Sequence, residues 1–155
     1  MKLQIIKAVL LALIVAFLAA NVIQPSDSDL KMNTVESVTL ESIDLEQMPK
    51  QDNQSIKRFL GIQPEEYESV VYYKSADTMQ ASEIVLVKLK DHSQQAVFQQ
   101  AMETHRDQQK NIFEGYAPEQ AQLLCESLIT IHANYAAFIV NKDATKINNQ
   151  FLSNF

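Results

Sequence analysis

Two pairs of β-rich segments, separated by one long helical stretch, limit what this chain can fold into. The first pair is 67–75 (YESVVYYKS) and 83–90 (EIVLVKLK), rich in β-branched and aromatic residues. In the second of these, Val85, Val87 and Leu89 alternate with Lys88 and Lys90, the period of a strand. The other pair is 128–133 and 135–141, joined at Ala133-Asn134, where the asparagine suits left-handed backbone. Short connections within each pair imply hairpins. Between the pairs, residues 91–114 read as a helix capped by Asp91 or Ser93, with an apolar stripe of Phe98, Met102, His105, Ile112, Phe113 and Tyr116. Gly115 ends it, and Pro118 opens a short helix to about Cys125. A helical turn at 55–60 has Ser55 as its cap and Gly61 as its stop, and Asp143 caps a last helix through Phe151. The order α-β-β-α-α-β-β-α lacks any β-α-β alternation. It predicts an α+β fold: a four-stranded antiparallel sheet of two hairpins, with a long helix and shorter helices mainly on one face. An N-terminal hydrophobic helix precedes it.

That N-terminal segment is a separate unit. Lys2 and Lys7 precede residues 8–23 (AVLLALIVAFLAANVI), which are apolar except for Asn21. Sixteen helical residues rise about 24 Å, short of a bilayer core of roughly 30 Å. Counting from Leu3, with Lys7 reaching back to the interface, closes the gap. Lysines before the run and Asp27 and Asp29 after it predict a single-pass cell-membrane anchor, N-terminus cytoplasmic and domain outside. A cleaved signal, giving a secreted protein, is the alternative. It finds only poor cleavage sites, since cutting after Ala20 leaves Leu18 at the third position back. The expected organisation is residues 1–23 as anchor or signal, 24–43 as a polar spacer, and 44–155 as one extracytoplasmic domain. The lipid bilayer, met by residues 3–23, is then a partner. The stretch 38–45 could add a short edge strand or lie along the domain.

Past the apolar segment the charge excludes one class of partner. Of 13 basic residues, Lys2 and Lys7 lie before Gln24, leaving 11 against 19 acidic, a net −8. No basic excess exists to release phosphate counterions, so nucleic acid is not an expected partner. Anionic lipid docking is disfavoured on the same ground. The single cysteine, Cys125, follows an apolar run and reads as a buried small hydrophobe.

Chemistry-bearing patterns are few. His92, His105 and His132 show no metal-ligand spacing, and no cofactor is implied. With only Gly61 and Gly115, a glycine-rich phosphate loop cannot be built. No G-x-S-x-G motif occurs, and no catalytic residue is assigned. His105 falls near the apolar stripe and reads as a packed or hydrogen-bonded histidine, and His132 as an exposed cross-strand residue. One constellation stands out as a binding site: Glu83 at the head of a strand, Arg106 and Gln109 one turn apart on the long helix, and Tyr116 at its break. A Glu83–Arg106 pair at the sheet margin would line a polar cleft there.

Several stretches together resemble a known family: Arg58-Phe59-Leu60-Gly61-Ile62, Tyr67, Val70-Val71-Tyr72-Tyr73, the run from Glu83 to Asp91, Arg106, Gln109, the run from Phe113 to Gln120, and Leu123-Leu124. They resemble a bacterial family of exported, membrane-attached domains catalogued as domain of unknown function 4358. The resemblance spans about residues 44–151, and 113–120 is its most specific part. It implies the location and fold already read, and carries over no catalytic residues. The chain departs from it in having no lipobox cysteine, and in Ala133-Asn134 where the last hairpin commonly has a glycine.

The expected function is therefore that of a membrane-tethered extracytoplasmic domain, more a non-enzymatic binder of a protein or cell-envelope component than an enzyme. The alternative is a small envelope enzyme with a polar cleft near Glu83, Arg106 and Tyr116, using Glu83 or His105. A regulator acting through the transmembrane helix itself is a third.

Overall fold

The computed structural model describes residues 6–7, 9–15 and 25–155. Residues 9–15 are helical and exposed. The rest of the expected anchor lies outside the described residues, and among these no helix is long and apolar enough to cross a membrane.

Four strands form one antiparallel sheet: β1 (Ser69–Lys74), β2 (Glu83–Lys88), β3 (Leu128–His132) and β4 (Tyr135–Val140). Their order is β1-β2-β4-β3, so the two expected hairpins meet along β2 and β4. In register, Tyr72 faces Val85 and Val85 faces Phe138. Among the described residues, four helices of eight residues or more accompany the sheet: α1 (Met32–Thr39), α2 (Gln94–Glu114), α3 (Pro118–Cys125) and α4 (Ala144–Leu152).

The pleat sends alternate residues into two cores. Tyr72, Val85, Val87, Ala136, Phe138 and Val140 face Phe98, Met102 and Phe113 of α2, with Leu124 of α3 and Leu60 beside them. Ile84, Leu86, Tyr135, Ala137 and Ile139 face the other way, onto Val35 of α1 and Ile147 and Phe151 of α4. The α+β fold stands as expected, and the larger helix set lies on one face. The second face is covered too, because β2 and β4 are buried along their whole length. Continuous runs such as Ile84-Val85-Leu86-Val87 need cover on both sides.

Part of that second cover comes from residues 25–43, within the stretch expected as a polar spacer. They include α1, which packs against α4 and β2 and buries Val35 fully. Its apolar positions are few: in two turns it buries only Val35 and Thr39, and the sheet supplies the rest of that core. No strand forms at 38–45.

Local details also differ from the sequence reading. The turn at Ile56–Leu60 is π-helical, and Asp52 caps the short helix before it by accepting from Ser55 N at 2.8 Å, so Ser55 is not the cap. Gly61 closes it at φ 68°, left-handed as a stop requires. At the last hairpin, Ala133 takes the left-handed conformation (φ 52°), not Asn134. The Asn134 amide is engaged elsewhere: its Oδ1 accepts from Ser28 N at 2.9 Å and its Nδ2 donates to Ser28 O at 3.1 Å. Ile112 is 55% exposed, one position outside the stripe that Phe113 closes. Cys125 is an exposed free thiol, because α3 turns Ala121 and Leu124 inward and its last position falls on the solvent side.

Candidate functional site

Glu83 begins β2 on the same side of the pleat as Val85, so its carboxylate points under α2 and not to the sheet margin. It is 3% exposed. A buried carboxylate needs partners. Tyr72, the next strand's residue on that face, donates its hydroxyl to Oε2 at 2.8 Å, and His105 Nε2 lies 2.7 Å from Oε1. His105 is also 3% exposed and stands edge-on to Phe138. An ionised Glu83 can only accept, which places the imidazole proton on Nε2. Burial, with the carboxylate next to it, pushes the Tyr72 phenol far above its usual range, so it stays a donor. The remaining ring nitrogen, Nδ1, is buried and has no hydrogen-bond partner.

The expected Glu83–Arg106 pair does not form. Arg106 Nε bonds Asp107 at 2.9 Å on the surface. At 105 and 106 the helix turns about 100° per residue, and the inward position belongs to His105. The other three expected site residues do converge. Glu83, Gln109 and Tyr116 line a cavity of about 90 Å³ with Lys74, Gln80 and Phe113. This is room for roughly three waters. Tyr116 is half exposed and its ring lies 5.3 Å from that of Phe113. Gln120 Oε1 accepts from Ala81 N at 2.9 Å, tying the corner between α2 and α3 to the β1–β2 loop.

Tyr72 is a partner that the sequence reading does not name, whereas His105, expected as packed or hydrogen-bonded, is both. The signal was present: Glu83, Val85 and Val87 share a parity, and His105 extends the Phe98–Met102 stripe.

On the far side of His105 lies a more open groove, about 630 Å³, between the Ile56–Leu60 turn and α2. Phe59 and Val97 are 38% and 59% exposed there. Arg58, Gln100, Thr104 and Gln108 supply polar groups, and His105 is part of the lining. The acid–imidazole–phenol cluster thus separates two openings, touching the small cavity through Glu83 and the groove through His105. Among the described residues no group of three His, Cys, Asp or Glu could hold a metal ion. His132 stacks on Phe155 at 4.8 Å and is only partly exposed.

Sheet, helices and site define a small α+β domain with a polar cluster buried under its long helix. The model of the family described as Domain of unknown function (DUF4358) matches residues 41–141, and the chain belongs to that family. No curated protein and no solved structure matches it.

Proposed function

We propose that this is a membrane-tethered extracytoplasmic domain that binds a protein or cell-envelope component close to the bilayer. What carries the reading is how the chain is held just after its apolar segment. Ser28 is bonded twice to the Asn134 amide, and Leu30 O accepts from Lys88 Nζ and Tyr135 Oη. Asp27 Oδ1 lies 3.0 Å from His92 Nε2. Four residues lie between Ile23 and Ser28, so five Cα steps span at most about 18 Å of extended chain. An anchor ending at Ile23 would hold the end of the sheet carrying Lys88, His132 and Asn134 near the membrane. Glu83 and Val140 lie at the opposite end. A module held this close meets membrane-borne partners at high effective concentration.

The test is fractionation followed by mass spectrometry of the intact chain. Protein starting at Met1 in the membrane fraction, with the domain digested by protease added outside, supports the tether. A mature N-terminus near Asn21 or Val22 overturns it. The enzyme reading has one specific observation in its favour, an imidazole oriented by a buried carboxylate. Arg106, which that reading placed in the cleft, is not there.

A further inference from the structure

We infer that the groove between the Ile56–Leu60 turn and α2 binds a small apolar molecule carrying a hydroxyl group, which hydrogen-bonds to His105 Nδ1. This deepens the binding reading and does not depend on the anchor. Two independent observations meet here. The groove has apolar walls, with Phe59 and Val97 exposed and Ala96 and Ala101 leaving space between them. Among its lining residues is His105, 97% buried by its 3% exposure, whose Nδ1 is itself buried and has no partner. Buried polar atoms are nearly always satisfied, and one that is not marks a place where a bond is owed.

The chemistry of the head group follows from the other nitrogen. Glu83 Oε1 lies 2.7 Å from Nε2, and an ionised carboxylate, which can only accept, makes Nε2 the donor. In the neutral ring Nδ1 is then an acceptor, and in the imidazolium it is a donor. A hydroxyl serves in both cases, because it donates and accepts, whereas an ammonium or a carbonyl serves in only one. The flexible side chains of Arg58 and Gln108 line the same groove. Rearranging such side chains on binding is common and opens the ring to a ligand. An apolar body covers Phe59 and Val97, which gives the affinity, and the hydroxyl gives the orientation.

The probes are phenol and toluene, nearly the same in shape and different in the hydroxyl. The full chain in lipid nanodiscs is labelled with ¹⁵N at its three histidines. Phenol is expected to move the His105 Nδ1 resonance saturably, leaving His92 and His132 still. Toluene should bind about three- to tenfold more weakly, as loss of one neutral hydrogen bond implies, without moving Nδ1. Val97→Asp, a change at an exposed position, should weaken phenol binding about tenfold with the ring ¹⁵N signals of the free protein unchanged. No saturable shift at His105, equal affinities for the two probes, or equal shifts at all three histidines would each overturn the inference. None of these outcomes bears on whether the N-terminus is retained.

Discussion

His105 Nε2 and Glu83 Oε1 are 2.7 Å apart with both side chains 3% exposed, joining the first residue of β2 to the middle of α2. Glu83→Ala leaves the Tyr72 hydroxyl and His105 Nε2 buried without an acceptor. The expected cost is about 3–5 kcal/mol, the range for removing one partner of a buried pair. Tyr72→Phe removes only one donor and should cost roughly 1–3 kcal/mol. Urea unfolding monitored by circular dichroism measures both.

Arg106→Ala should change stability by less than about 0.5 kcal/mol in the same assay. Its ion pair with Asp107 is at the surface, where such pairs contribute little. A cost near that of Glu83→Ala would mean that Arg106 reaches the buried cluster after all.

The contrast between those two substitutions shows how far the sequence could be read. Periodicity placed the strands and the long helix, because Val85, Val87, Phe98 and Met102 repeat at the right intervals. It also brought Glu83, Gln109 and Tyr116 to one cavity. It failed at Arg106 because charge complementarity was allowed to outrank parity: an arginine is an attractive partner, but the position facing the sheet belonged to His105. The second core was harder to foresee. Val35 and Leu40 are isolated in a polar stretch, and nothing local says that the sheet's other face needs them. Ala133 in left-handed backbone was also hidden, because Asn134 is the better residue for that conformation and its engagement by Ser28 is a contact over 106 positions.

Alkaline pH should weaken the fold in a definite window. Burial first, and then neighbouring carboxylates, raise the Tyr72 and Tyr73 phenols above their usual pKa near 10. A group whose folded pKa is raised holds its proton more tightly in the native state. Its stabilising contribution is complete below pH about 10 and is lost as pH rises toward the folded value. Unfolding free energy is therefore expected to fall from about pH 10 upward, and Tyr72→Phe should flatten that slope. An equal slope in the variant would mean that other groups set the alkaline limit.

Ala133→Gly should stabilise the protein by about 0.5–1 kcal/mol. A non-glycine residue at φ 52° carries a steric cost of roughly 1–2 kcal/mol that glycine avoids. The gain is reduced because the alanine is buried, and removing its methyl gives up some packing. The midpoint of thermal unfolding reports the balance. A lower midpoint would show that packing at the turn exceeds the backbone strain.

Asn134→Ala should release the start of the domain without unfolding the rest. The side chain makes two bonds to Ser28 and none of the sheet's ladder. Lys88 and Tyr135 hold Leu30 two residues on, so the loss is confined to the stretch before it. Each lost bond is worth about 0.5–1.5 kcal/mol net, so local opening at Ser28 should become roughly 5- to 100-fold more frequent. Amide hydrogen exchange reads this directly, with the Ser28 N–H losing protection while the Val85 and Phe138 amides of the sheet keep theirs. On the proposed tether, the same stretch would set the angle at which the domain stands on the bilayer. If exchange at Ser28 were already fast in the unaltered protein, the stretch would be a loose leash and the domain would have no fixed attitude toward the membrane.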